Sequence, residues 1–194
     1  MKRRVIYCIL FVGFGFLCGC QSPPPKPKAE SVGSQITRNN CYALLYQLLN
    51  DEKDVSKLRF IKHEDADLKT LINRIAAAAR EGARVLDEFS KLDRSLDLNY
   101  LHLPAGEMAT RQDIGAEKQK LLLHGSGEDF EINLLLTQIE ALNYGAHLAK
   151  VAGDNDFEPE RKRYLAELSN ALVLLHNETV GHLELRQMMP PAKR

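Results

Sequence analysis

The sequence lacks tryptophan and has few stretches in which apolar and polar residues alternate as they do in strands. Alanine, leucine, glutamate, lysine and arginine are abundant, and all five favour helices. The four cysteines are Cys8, Cys18, Cys20 and Cys41. Only Cys41 lies in the segment that we predict to fold, so an intramolecular disulfide is excluded there. The sequence therefore predicts an all-α domain that packing stabilises, with Cys41 as a small buried apolar residue.

The chain also has no excess of charge of either sign, because 26 basic residues balance 26 acidic ones. Three of the basic residues are Lys2, Arg3 and Arg4, in a segment that we expect to be removed. The remaining 175 residues have 23 basic and 26 acidic side chains, a net charge of −3. That length suits one domain. A nucleic-acid partner is not expected, since it would require a strongly basic face.

Motifs for nucleophilic catalysis are lacking. The chain has no G-x-S-x-G sequence, and no histidine lies near Cys41. Gly125-Ser126-Gly127 is too short for a phosphate-binding loop and lacks its lysine. We therefore predict that the protein is not an enzyme.

The N-terminal segment has the pattern of a secretory signal. A basic start is followed by an uncharged apolar run of thirteen residues, Val5 to Leu17. This length fits a signal peptide and is short for a membrane-spanning helix, which needs about 20 residues. Two alternatives are an uncleaved segment that anchors the protein as a single membrane span and an ordinary signal peptide that is cleaved at another position.

The residues that follow, Leu17-Cys18-Gly19-Cys20, resemble the lipobox of bacterial lipoproteins. The resemblance implies that residues 1–19 are removed and that Cys20 receives lipid and becomes the new N-terminus. Cys18 is the other candidate, but it would place Leu17 in a position that takes a small residue. The bilayer is then a partner through the acylated Cys20, and two or three acyl chains hold a protein stably.

The residue after the acceptor, Gln21, bears on localisation. Enterobacterial lipoproteins retained in the inner membrane have aspartate there, so the resemblance favours the cell envelope with the domain at the outer membrane, facing the periplasm. Residues 20–33 form a tether, because Ser22-Pro23-Pro24-Pro25-Lys26-Pro27-Lys28 favours extended polyproline II. The helical domain is predicted over 34–187, and 188–194 is a tail.

Helical periodicity predicts five helices. They cover about 35–62, 66–92, 105–123, 127–152 and 159–187. The first is expected to continue through the polar run 50–54, because no glycine or proline interrupts it. Residues 93–104 should be a loop whose leucines lie on the domain. Ser126 and Asp129 resemble a capping box, and residues 153–156 are predicted to end the fourth helix.

These helices predict an antiparallel four-helix bundle of two long hairpins, with an extra short helix in the crossover. The architecture resembles ferritin-like folds, and no ligand set is transferred from that likeness. Di-metal members use Glu-x-x-His pairs. No glutamate in this chain has a histidine three residues later, which counts against a di-iron site.

A looser metal site is the alternative hypothesis. Glu140 and His147 share a face of the fourth helix, and Glu178 and His182 are spaced four apart on the fifth, with Glu52 a further candidate. Carboxylate and imidazole groups that met inside the bundle could bind zinc or iron. The simpler interpretation gives these side chains structural or solvated roles, without a cofactor. The sequence thus favours a membrane-anchored envelope lipoprotein that binds a protein or envelope partner, and the alternative is a metal-binding or redox bundle.

Overall fold

The described part of the chain in this computed structural model comprises residues 31–60, 66–101 and 103–188, with side chains described except at 58–60. It contains helices and no strand, which confirms the predicted all-α class. The predicted signal segment, the predicted lipobox with Cys20, the predicted tether up to residue 30 and the tail from residue 189 lie outside it. The long helices are α1 (Val32–Glu52), α2 (Ala66–Leu92), α3 (Ala105–His124), α4 (Gly127–Asn155) and α5 (Pro159–Met188).

Four of the helices form the bundle. Helix α1 packs on α2 and α4, and α5 closes the arrangement by packing on α4 and α2. The most extensive contact is between α4 and α5, which a three-residue turn joins. Helix α3 lies in the crossover and packs on the outside of α4. The predicted bundle of two hairpins with an additional crossover helix is therefore confirmed.

The core is built from leucine and alanine stripes. Helix α2 has the bounds that its seven-residue rhythm predicts, and its apolar stripe is buried at Leu68, Leu71, Ile72, Ile75, Ala79 and Leu86. Small residues let the helices approach closely. A Cβ atom built on Gly82 would lie 2.9 Å from Leu49 Cδ1 of α1, and one on Gly145 of α4 would lie 3.0 Å from Leu48 Cδ2. Leu96 and Leu98 of the 93–104 loop are also buried, as predicted.

Both ends of α1 differ from the prediction. The helix begins three residues earlier than expected, because Ser31 is its N-cap and accepts a hydrogen bond from the Ser34 N–H at 3.1 Å. It ends at Glu52 instead of continuing to about residue 62. The Asp54 N–H donates to the Asp51 carbonyl, and a separate 3-10 helix, Val55–Phe60, follows. A switch to bonding three residues back ends an α-helix without glycine or proline, and it buries Val55.

Helix α4 begins at Gly127 as predicted, but its N-terminal capping and its C-terminal end differ from the prediction. Ser126 is the N-cap, but its side chain makes no capping hydrogen bond, so the proposed capping box is wrong. The helix runs through Gly153 to Asn155. Gly153 is buried within it, and a Cβ atom there would lie 3.3 Å from the Leu165 Cβ of α5. The glycine therefore serves close packing, and Asp156 is the C-cap.

Two glycines offer a matched test of packing. We expect Gly115→Ala to stabilise α3, because nothing lies within 4 Å of the added Cβ and alanine is favoured over glycine in helices by about 1 kcal/mol. Gly82→Ala gains the same preference but forces a methyl against fully buried Leu49, and overpacking costs about 1–3 kcal/mol. Urea unfolding of both variants measures the difference. Equal effects in the two variants would contradict the packing argument.

Candidate functional site

A groove between α1 and α3, with α4 as its floor, is the best candidate site. Its volume is about 450 Å³, within the range of pockets that bind small ligands. Apolar side chains line its inner part, and Ile114 on the α3 wall is 46 % exposed. Acidic and basic side chains share the rest of the lining. The apolar lining includes Leu44, Leu48, Ile114 and Ala141, and the charged lining comprises Asp51, Glu52, Glu107, Arg111, Lys118 and Glu140.

Glu52 occupies the groove at the last residue of α1 and is partly buried. The Gln138 Nε2 of α4 donates to its Oε2 at 2.8 Å. Burial raises the pKa of Glu52 to about 7, and the neighbouring Asp51 adds to the rise. The hydrogen bond from Gln138 and the charge of Lys118 act in the opposite direction. Near neutral pH this carboxyl group is therefore present in both protonation states.

Gln138 itself is 1 % exposed, and its Oε1 is buried without a hydrogen-bond partner. An unsatisfied buried acceptor costs about 1–3 kcal/mol. Gln138 does not line the groove, so this oxygen is an unsatisfied acceptor in the interior of the bundle.

Polar contacts join helix α3 to α4. Arg111 pairs with Glu107 at 2.6 Å, donates to the Tyr144 hydroxyl at 2.8 Å and stacks 5.1 Å from the centre of that ring. Lys118 forms an ion pair with Glu140. Leu122 is the one side chain of α3 that is buried. The outer wall of the groove is thus attached less firmly than the four bundle helices.

A second polar cluster lies at the other end of α1 and has a structural role. Asp156, 4 % exposed, receives two hydrogen bonds from Arg161, each of 2.9 Å, and one from the Tyr42 hydroxyl at 2.7 Å. Arg161 also pairs with Asp93 at 3.0 Å. Burial alone would raise the pKa of Asp156, but the hydrogen bonds from Arg161, the Glu158 N–H and Tyr42 outweigh it and hold the pKa below its usual value.

Arg38 extends this cluster towards the loop. Its side chain is fully buried, and its Nη2 donates to the Ser95 hydroxyl at 3.1 Å. Its guanidinium lies 4.9 Å from the centre of the Phe157 ring, and Arg161 lies 5.3 Å from the same ring. The oxygens of Asp156 are saturated by donors from its own chain. The cluster therefore joins α1, the 93–104 loop and the α4–α5 turn, and it leaves no base free for chemistry.

The residues of the metal hypothesis are separated in the bundle. Glu140 pairs with Lys118 across α3 and α4, whereas Glu178 pairs with Arg74 of α2 at 2.5 Å. His147 is exposed, and His182 is partly buried. In the described ranges no three His, Cys, Asp or Glu side chains come together as a metal would require. The hypothesis stays a prediction, and elemental analysis of the purified protein tests it.

Sequence reasoning identified Glu52 but missed Gln138, Arg161 and Asp156 as members of clusters. Gln138 was recognisable in principle, because it is a polar residue four positions from both Leu134 and Leu142 in a buried stripe. Asp156 and Arg161 are five residues apart across a turn, and helical spacing rules predict contacts only at three or four residues. Cys41 is partly buried, less than predicted, and burial raises the pKa of its thiol.

Fold and site together define a helical-bundle protein with one groove between the crossover helix and α1. Comparison with protein-family models, with curated proteins and with solved structures gave no match. Among the helices of the described part, none combines the length and the apolar character needed to span a membrane.

Proposed function

We propose that the protein is a lipid-anchored envelope lipoprotein that acts as a non-enzymatic binding module. The observation that carries the anchoring is the sequence Leu17-Cys18-Gly19-Cys20 after a basic start and an apolar run. The proline-rich tether suits this role, because extended polyproline segments act as spacers. A domain on such a spacer reaches partners away from the bilayer surface.

The groove between α1 and α3 is the proposed binding site. Its two hydroxyl groups are already engaged, since Thr137 donates to the Asn133 carbonyl and Tyr144 accepts from Arg111. A catalytic nucleophile would need an adjacent base that is itself oriented, and neither hydroxyl is hydrogen-bonded to such a base. Recognition by shape, apolar contact and charge is the chemistry that this lining supports.

Lipidation at Cys20 is tested by Cys20→Ala in the full chain. We expect the variant to keep the mass of the uncleaved precursor and to incorporate no labelled palmitate. The physical reason is that the thiol is the lipid acceptor and two acyl chains provide the stable attachment. Mass spectrometry and palmitate labelling of cell fractions measure both effects.

Cys18→Ala is the matched control, because it removes a thiol two residues away and leaves Leu17 and Gly19 in place. This variant should be processed and labelled like the wild type. The reverse result would assign the lipid to Cys18. Normal labelling of both variants would contradict the lipobox interpretation.

A further inference from the structure

We propose that the groove between α1 and α3 binds a cationic amphipathic ligand, an ammonium or guanidinium group on an apolar stem, with Glu52 as its counter-ion. This inference rests on the proposed binding role of the same groove and names the chemical class of the ligand. Three observations carry it: the excess of carboxylates, their position at a helix end and the apolar lining.

The charges in the lining leave a negative surplus. Four carboxylates face two cations there. Arg111 is bonded to Glu107, and Lys118 is bonded to Glu140. The adjacent carboxylates Asp51 and Glu52 are left in excess at one end of the groove.

The position of Asp51 and Glu52 at a helix end increases the negative potential in the groove. Asp51 and Glu52 are the last two residues of α1, and no basic residue is present in that last turn. Lys53 follows as the C-cap, and its ammonium group donates to the Asn50 side chain. The C-terminus of a helix has a partial negative charge and favours cations. Placing two carboxylates there is therefore unfavourable, and a cationic ligand would relieve it.

Gln138 fixes the position of Glu52, because its Nε2 donates to Glu52 Oε2 at 2.8 Å. An ammonium group has three donors and a guanidinium has five, and neither has an acceptor. Such a group can therefore donate to the Glu52 carboxylate, whereas an ionised carboxylate has no donor to offer.

The apolar part of the groove sets the direction of the stem. Leu44, Leu48 and Glu52 follow one another at four-residue spacing on one face of α1, over about 12 Å at 1.5 Å per residue. Ala141 lies on the floor and Ile114 on the opposite wall. A ligand with its cation at Glu52 therefore places its apolar stem towards Leu44.

Binding should depend on pH with a defined sign. The charged groups around Glu52 are Asp51 on α1 and Lys118 on α3, and Gln138 contacts it from α4. The residues of α2 and α5 that share the small cavity behind it, Ile75, Ala79 and Leu172, are apolar. A cation binds the ionised carboxylate, so affinity should rise from pH 6 to pH 8.

The test uses the purified full chain in lipid nanodiscs and a photoreactive octylammonium probe, with crosslinks located by mass spectrometry. We expect labelling of peptides around Leu44, Leu48 and Ala141. Glu52→Gln should reduce it about tenfold, equivalent to about 1.4 kcal/mol. Glu167→Gln, an exposed carboxylate on α5, should leave it unchanged. Circular dichroism confirms that both variants are folded, so that lost labelling is not lost structure.

An uncharged probe and a peptide probe separate the possible failures. If photoreactive octanol labels the groove as strongly as octylammonium, and Glu52→Gln changes nothing, the groove binds ligands but the cationic class is wrong. If none of the probes labels the groove, the binding site of the proposed function fails as well. A short leucine-flanked lysine peptide with the same photoreactive group distinguishes a basic side chain of a protein from a free amine by its relative labelling.

Discussion

Arg161→Ala is expected to destabilise the bundle by about 3–5 kcal/mol. Removing one partner of a buried ion pair leaves the other charge without compensation, and Asp156 is 4 % exposed. The substitution also removes the ion pair with Asp93 and the stacking on Phe157, so the α4–α5 turn loses its contacts with the loop. Urea unfolding at neutral pH, followed by far-UV circular dichroism, measures the loss.

Arg163→Ala is the matched control two residues along the same helix. Its side chain is 75 % exposed and lies 3.8 Å from Glu167. Exposed pairs contribute about 0–1 kcal/mol, so this variant should unfold close to the wild-type midpoint. A loss no larger for Arg161→Ala than for Arg163→Ala would show that the cluster contributes little to stability.

A double-mutant cycle separates the pair from its surroundings. Asp156→Ala alone should cost about as much as Arg161→Ala, and the double variant should cost less than the sum of the two. Contacting residues commonly show coupling of about 0.5–3 kcal/mol. Additive losses would mean that Arg161 and Asp156 act independently.

The cluster also gives the protein a sensitivity to acid. The folded-state pKa of Asp156 lies below its usual value of 3.8, as does that of Asp93. The stabilisation from these carboxylates is present above the unfolded-state pKa and is lost as the pH falls through the folded-state pKa. Neutral buffers are therefore the conditions in which Arg161 matters most.

Much of the fold was predictable because apolar periodicity is a local property of the sequence. The bounds of α2 follow from a stripe in which every third or fourth residue is apolar. The end of α1 was not predictable by the same rule, since the switch to 3-10 bonding after Glu52 depends on burying Val55 against other helices. Gly153 resembled a terminator, but its role is fixed by the approach of Leu165 from α5.

The site was less predictable, because its chemistry arises between helices. A lone Glu52 in an apolar stretch was visible in the sequence, whereas its bond to Gln138, 86 residues later, required the packing of α1 on α4. The same limit explains why the ion pairs of Glu140 and Glu178 were not predicted, because their cationic partners, Lys118 and Arg74, lie on other helices.

Glu52→Gln is the second large expected effect, and it should stabilise the protein at pH 8. The folded-state pKa of Glu52 is about 7 against an ordinary value of 4.5, so the native state binds more protons than the unfolded state between these values. The contribution of Glu52 to the free energy of unfolding is then fully present below about pH 4.5 and is lost as the pH rises through 7. A folded-state pKa one pH unit above the unfolded-state pKa corresponds to about 1.4 kcal/mol. Partial exposure to solvent screens the charge and reduces the total for Glu52 to about 1–3 kcal/mol.

Glutamine removes this cost, because it is neutral at every pH and still accepts the hydrogen bond from Gln138. The gain over the wild type should therefore be present at pH 8 and small at pH 4, whereas Glu167→Gln should change stability little at either pH. Urea unfolding of the three proteins across this range measures it. A gain independent of pH would mean that the stabilisation comes from the new amide, and no gain at pH 8 would contradict the raised pKa. A gain confined to high pH would show that the ionised carboxylate of Glu52 is kept in the groove at a cost to stability.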